Sequence, residues 1–249
     1  MHKGIRTRAF NSVAKTEGLG KPAEYLHINH NRGIIYHKLD GLTGDYDKWK
    51  TQQEVIDLLK NGKPNPYEKC PEYESENFIL RLVTMDDAEE LFVCYSDPKA
   101  QMIFNSDNCT TDFKFSTLEQ MKSYMEFWLD CYKNRGFIRY SVIDKRIQKA
   151  IGTIEIFGGE RGGERTDFGV LRVDVRHEYE NEDDLNELLV ISDSFFYDVN
   201  TEMFITKAIP EAVHRINALI KNGYASALIG DGEKREHYYM KRSPELRDS

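Results

Sequence analysis

Cysteine is scarce in this chain. Its four residues, Cys70, Cys94, Cys109 and Cys131, lie far apart and form no Cys-x-x-Cys pair. That spacing argues against a disulfide framework and against a zinc site, and it leads us to expect a reducing, cytoplasmic setting. Long apolar runs are missing as well. No stretch approaches the ~18 consecutive apolar residues of a membrane-spanning helix, so no membrane partner is expected. Lys3, Arg6 and Arg8 have no apolar run behind them, which argues against a secretory signal. Positive charge is also in deficit: 34 Lys+Arg stand against 42 Asp+Glu, a net charge of −8 at pH 7. The deficit is uneven, since residues 1–70 carry +4 and residues 71–249 carry −12. An acidic major part argues against broad nucleic-acid binding, where neutralising phosphates dominates affinity. It suits a cationic partner or an amine substrate.

What is present is enough for a sizeable core. The chain has 249 residues, 40% of them apolar, which suits one large domain with an appendage. Pro64, Pro66 and Pro71 crowd a short stretch after Gly62 and read as a linker. We therefore expect an N-terminal extension over residues 1–70 and a main domain over residues 71–249. In the extension, residues 25–29 and 33–38 read as strands around a turn. Residues 51–60 read as a helix, opened by a Thr51/Glu54 capping box and stopped by Gly62. His27, His30 and His37 cluster there, without the cysteine or carboxylate spacing of a metal site, and no metal is expected.

The main domain has stronger periodicity. Residues 78–83 predict a strand. Residues 86–104 predict a helix with Ala88, Leu91, Phe92 and Tyr95 on one face. A Ser116/Glu119 capping box opens a long amphipathic helix through Met121, Met125, Trp128, Leu129 and Tyr132. Strands follow at 137–144, 150–157 and 168–175, a helix at 182–199, and a strand at 203–209. A helix at 211–222 ends at Gly223, and strands at 224–229 and 237–241 close the chain. The order β α α β β β α β α β β predicts an α/β (α+β) fold: a mixed, twisted sheet of about seven strands with helices on both faces. The Gly-rich run 158–163 lacks a Gly-Lys-Ser/Thr ending and precedes a strand, so it reads as a hairpin loop, not a phosphate loop. The basic, aromatic run 234–242 reads as a final strand with a solvated face.

Three strings carry a resemblance: ILRLVTMDDAEELFVCYSDP (79–98), IGTIEIF (151–157) and EAVHRINALIKNGY (211–224). With the element order, they resemble the GNAT (N-acetyltransferase) superfamily over about residues 78–242. The pattern is most similar to the branch that acetylates ribosomal-protein alanines and small amines. The resemblance implies direct acyl transfer from acetyl-CoA to an amine, which would be a peptide N-terminus, a lysine or a small amine. It implies that the strands at 168–175 and 203–209 splay, that the pantetheine follows the backbone at Val173 and Val175, and that the pyrophosphate meets the helix starting near Asn181. A helix N-terminus attracts an anion through its unpaired N–H groups and dipole. Homodimers are common in that superfamily.

The chain departs from the family pattern at two places. The family loop, Gln/Arg-x-x-Gly-x-Gly/Ala, is here Val-Arg-His-Glu-Tyr-Glu-Asn-Glu-Asp-Asp over residues 175–184. It has no glycine, it carries Glu178, Glu180, Glu182, Asp183 and Asp184, and only Arg176 and His177 offset them. In the late helix, Ala212 and Arg215 stand where the family often has a CoA-contacting Asn and Ser. For the chemistry, Glu155 is the first candidate base and Asp174 the second. Both have a structural alternative on the sheet, Glu155 as a cross-strand ion pair with Arg172. Tyr224 is a candidate acid for the leaving thiolate, with core packing as its alternative. Asp107 and Asn108 are candidates to hold an acceptor amine or are turn formers. Two further readings stay open: a non-catalytic binding or regulatory protein of the same fold with a degenerate CoA site, and an enzyme using a less anionic donor.

Overall fold

The computed structural model describes residues 25–29, 34–38, 65–104, 113–161, 164–199, 201–227 and 236–243. The chain divides into two units, Met1–Asn65 and Pro66–Ser249. In the first, β1 (Tyr25–Asn29) pairs antiparallel with β2 (Ile34–Lys38), with Tyr25 opposite Lys38 and His27 opposite Tyr36. The expected turn at 30–33 and helix at 51–60 lie outside the described residues.

In the second unit, β3 (Tyr73–Glu74) and β4 (Phe78–Leu82) form a short hairpin. Next come α1 (Ala88–Ser96), α2 (Pro98–Gln101) and α3 (Leu118–Lys133). The long meander β5 (Ile138–Asp144), β6 (Lys149–Arg161) and β7 (Glu164–Val175) follows. Then α4 (Glu182–Ser192) and α5 (Phe195–Asp198) lead to β8 (Met203–Lys207), α6 (Val213–Lys221), β9 (Ala225–Ala227) and β10 (Tyr238–Arg242). One sheet contains eight of these strands in the order β3-β4-β5-β6-β7-β8-β10-β9. All neighbours are antiparallel except β7 and β8.

Several boundaries differ from the sequence-based expectation, each for a local reason. The helix expected over 86–104 is interrupted. A 3-10 turn at Met85–Asp87 precedes α1, and Asp97 is extended (φ −73°, ψ 114°) because Pro98 disfavours a helical residue before it. The Asp97 carboxylate then accepts from the Lys99 N–H at 2.9 Å and caps α2. The capping box of α3 is Thr117/Gln120, one residue later than Ser116/Glu119. The Gln120 N–H donates to Thr117 Oγ1 at 3.2 Å, and Gln120 Oε1 accepts from the Thr117 N–H at 3.3 Å. The helix expected over 182–199 splits at Asp193–Ser194 into α4 and α5. Within the Gly-rich run, residues 158–161 continue β6 as strand, while 162–163 lie outside the described residues. Gly158 has φ +127° and a built Cβ would lie 2.3 Å from Gly169 Cα, so no side chain fits between these strands. The final strand β10 lies inside the sheet between β8 and β9, and Lys241 on it is buried rather than solvated.

Strand alternation sorts the sheet into two faces. Phe78, Leu80, Ile138, Tyr140, Val142, Ile154, Ile156, Leu171, Val173 and Val175 pack with Leu185, Leu188 and Leu189 of α4 and Ala218 and Leu219 of α6. The opposite face lies against α1 and α3, where Leu91, Cys94, Tyr95, Met121, Met125 and Trp128 form a second core. The β5–β7 part of that second face is polar, and there the candidate chemistry lies.

Candidate active site

The register of β5, β6 and β7 builds two cross-strand rows on the α1/α3 face. Arg139 is opposite Glu155, and Glu155 is opposite Arg172. One step along, Ser141 is opposite Thr153, and Thr153 is opposite Asp174. Every one of these side chains is buried. Opposite charges in directly facing positions attract, and burial makes the pairing obligatory. Arg139 Nη2 donates to Glu155 Oε2, and Arg172 Nη1 lies 3.3 Å from Glu155 Oε1. Both Glu155 oxygens are thereby engaged. The cross-strand ion pair with Arg172 that the sequence offered as an alternative for Glu155 is present.

Arg139 reaches diagonally as well. Its Nη1 donates to Tyr95 Oη and Thr153 Oγ1, each at 2.9 Å, and lies 3.4 Å from Asp174 Oδ2. Its guanidinium carbon sits 4.1 Å from the centroid of Trp128, a desolvated cation–π contact. Tyr95 Oη donates to Asp174 Oδ2 at 2.9 Å and lies 2.7 Å from Thr153 Oγ1. Burial, with the Asp174 charge adding, holds the Tyr95 phenol well above its ordinary pKa, so it stays a hydrogen-bond donor. Asp174 Oδ1 and Arg139 Nε are buried with no hydrogen-bond partner among the described residues. Phe104, Phe113 and Phe115 surround the Tyr95 ring. The site thus has two carboxylates and two guanidiniums under an aromatic cover, and one carboxylate oxygen is left over.

Sequence reasoning nominated Glu155 and Asp174 but missed Arg139 and Tyr95. The signal for Arg139 was available, because Arg139 and Ser141 alternate with Ile138, Tyr140 and Val142 in one strand. Tyr95 looked like one more apolar residue on its helix face, and only its hydroxyl contacts distinguish it. Asp107 and Asn108 lie outside the described residues.

The second region lies at the end of β7. This strand pairs with β8 only at Gly169–Phe204 and Val170–Ile205. β7 continues to Val175 and β8 to Lys207, yet no further pairs form between them. The two strands therefore diverge beyond Val170. The Val173 and Val175 side chains point into the apolar core, and the backbone of 171–175 has no strand partner on the β8 side. Tyr224 is buried in the same core, and burial raises its phenol pKa strongly.

The third region is the entry to α4. Asn181 is its N-cap, with Oδ1 accepting from the Asp184 N–H at 3.1 Å and Nδ2 donating to Asp184 Oδ2 at 2.6 Å. Glu182, Asp183 and Asp184 fill the first turn, which stabilises the helix through its dipole. Arg176 turns away from this end: its Nη2 donates to Glu90 Oε2 at 2.9 Å and to the Ala150 carbonyl at 3.0 Å. His177 lies in a 3-10 turn, His177–Tyr179, with its side chain exposed. Arg215, in the first turn of α6, is buried against Glu180.

No family model matches the chain. An uncharacterized N-acetyltransferase of Bacillus subtilis is 25% identical over 99 residues, which is 40% of this chain and about half (52%) of that relative. Among solved structures, an acetyltransferase of the GNAT family from Bacillus anthracis superposes with a TM-score of 0.51 at 14% identity, covering 70% of this chain and 99% of that one. A ribosomal-protein-S5-alanine acetyltransferase from Vibrio fischeri gives 0.52 at 18%, covering 70% and 97%. A GCN5-related N-acetyltransferase from Brucella melitensis gives 0.54 at 12%, covering 75% and 85%. Element order, the diverging parallel pair and these likenesses together identify the fold of this chain as that of the GNAT superfamily.

Proposed function

We propose that the protein is an N-acyltransferase that moves an acetyl group from acetyl-CoA to an amine. The divergence of β7 and β8 beyond Val170 carries this reading. A parallel pair that opens leaves backbone N–H and C=O groups without ladder partners, and an amide-bearing arm such as pantetheine can satisfy them. The diphosphate end of the donor fits less well. The α4 N-terminus is already capped by Asn181 and carries three acids, which oppose a second anion there.

The donor supplies a thioester carbonyl. The amine nitrogen forms the C–N bond, the C–S bond breaks, and the leaving thiolate takes up the proton that the nitrogen loses as the amide forms. The incoming ammonium must lose a proton first. Asp174 is the better-suited carboxylate of the pair, because Glu155 has both oxygens bound to arginines and Asp174 keeps Oδ1 without a partner among the described residues. Tyr95 and Arg139 hold its other oxygen, Oδ2, and Thr153 Oγ1 contacts both of them. The acidic balance of residues 71–249 agrees with a cationic acceptor.

The capped, acidic start of α4 favours a second reading: a non-catalytic binding protein of the same fold. Calorimetric titration of the full chain with acetyl-CoA separates the two, with thiol release in the presence of amines as the activity readout. The expected result is saturable binding, and a loss of about 10²-fold or more in turnover for Asp174→Asn with binding retained. Absence of binding at millimolar acetyl-CoA removes the transferase reading and leaves the second one.

A further inference from the structure

The entry to α4 contains one group that its role as a helix start does not explain. Glu180 stands directly before the N-cap, and its carboxylate is spent on Arg215. Arg215 Nε lies 3.2 Å from Glu180 Oε2, and Nη2 donates to Glu180 Oε1. Both side chains are about 4% exposed. The third guanidinium nitrogen, Arg215 Nη1, is buried with no hydrogen-bond partner among the described residues. One position beyond the N-cap, Glu182 accepts from Asn217 Nδ2 at 2.6 Å and lies 3.5 Å from His214 Nδ1. The first turns of α4 and α6 therefore meet through carboxylates on one side and donors on the other.

A guanidinium offers five N–H donors in a planar fork, and that fork matches phosphate as well as carboxylate. Arg215 lies beside the N-terminus of an eleven-residue helix, where an anion is attracted by the dipole. A buried arginine in that place with a donor left over has the chemistry of an anion site. Here the anion is supplied by the chain itself.

We propose that Glu180 is a specificity-determining residue for the donor: its carboxylate holds Arg215, and a diphosphate-bearing donor must displace it. The inference rests on the acyltransferase reading for the word donor, while the anion exchange itself does not. An acyl arm without phosphates avoids the competition, because it occupies only the opening between β7 and β8. A nucleotide-bearing donor meets Glu180 on Arg215 and the charges of Glu182, Asp183 and Asp184 around it. Neutralising Glu180 frees the fork for phosphate oxygens. Removing Arg215 as well takes the fork away.

The test uses the full chain in calorimetric titrations at one ionic strength. The probes are adenosine diphosphate, acetyl-CoA and S-acetyl-pantetheine, the last having the acyl arm and no phosphate. Glu180→Gln is expected to raise affinity for adenosine diphosphate and acetyl-CoA by about tenfold or more, the strength of one charge-assisted hydrogen bond. Its affinity for S-acetyl-pantetheine should stay within about twofold. The double variant Glu180→Gln with Arg215→Gln should lose the gain. An unchanged affinity for adenosine diphosphate in Glu180→Gln, or a gain that survives in the double variant, overturns the proposal. Circular dichroism checks folding. If Glu180→Gln does not fold, Glu180→Asp retracts the carboxylate by one methylene and keeps its charge. A gain of about threefold for adenosine diphosphate is then expected, and none overturns the proposal. Failure of the acyltransferase reading looks different: the adenosine diphosphate gain persists, while no variant binds S-acetyl-pantetheine or releases thiol.

Discussion

At the scale of single residues, Arg139 is the centre of the molecule's polar interior. It ties Glu155, Asp174, Tyr95 and Thr153 together and stacks on Trp128. Two carboxylates on adjacent strands repel each other in a low-dielectric site, and Arg139 offsets both. Arg139→Met preserves much of the volume and removes the charge. It is expected to destabilise the fold by about 3–5 kcal/mol, because an uncompensated buried charge remains. Urea denaturation of the variant checks this, and a loss below about 1 kcal/mol would show that the carboxylates find other partners or water. Asp87 shows the same logic on a smaller scale. Burial raises its carboxyl pKa, but the hydrogen bonds from Arg81 and Ser141 outweigh that and hold it below the ordinary value. The charged types at these positions were visible in the chain. The Glu155–Arg172 pair was legible too, but the place of Arg139 and Tyr95 in the group was not, since it depends on which strand and helix face which.

At the scale of elements, helix starts were legible to within a residue or two, whereas the helices expected to run to 104 and 199 end at Ser96 and Ser192. The helix stop at Gly223 follows from φ +80°, which glycine adopts without strain. The start at Asn181 follows from its side chain reaching the Asp184 N–H. What alternation missed is how far β6 and β7 extend into the expected hairpin loop, to Arg161 and back to Glu164. Two facing glycines instead let the strands approach closely, and Gly169 leaves no room for a Cβ, which would lie 2.5 Å from Phe204 Cε1. Gly158→Ala combines a strained φ with a backbone clash, and it should cost about 2–4 kcal/mol of unfolding free energy. It should also disturb the β7–β8 pairing at Gly169. Hydrogen exchange of the Gly169 and Val170 amides reads this directly: faster exchange in the variant is expected, and unchanged protection would show that the pairing does not depend on the glycine contact.

At the scale of the whole molecule, the surplus of acids sets the response to pH. The Asp144 carboxyl is lowered to about 2 by hydrogen bonds from Arg146 and Tyr179, from an ordinary 3.8. Glu90 is also lowered, chiefly by Lys149 and then by Arg176. A depressed folded-state pKa adds stability that is complete above the unfolded value and is lost as pH falls through the folded one. For Asp144 that window runs from 3.8 down to about 2. Denaturation midpoints should hold steady from neutral pH to about pH 5 and then fall steeply with acid. Asp144→Asn should be less stable at neutral pH and show a shallower acid decline. Equal slopes in the two proteins would remove Asp144 from the cause.

The amino-acid sequence by itself determined the order of the main elements from β4 onward, the two faces of the central strands and the acidic start of α4, but not the short edge strand β3 or the breaks after α1 and α4. The features it determined follow from local periodicity, capping and charge, which act within a few residues. Tertiary structure alone decided three other things. One is the placing of Arg139 against the Glu155–Arg172 pair, which needs the register of three strands. Another is the point at which β7 and β8 part, beyond Val170, which needs the pairing register of the two strands. The third is the capture of Arg215 by Glu180, 35 residues apart. Register and burial arise from packing across the sheet, and a charge becomes obliged to find a partner only once water has been removed from it.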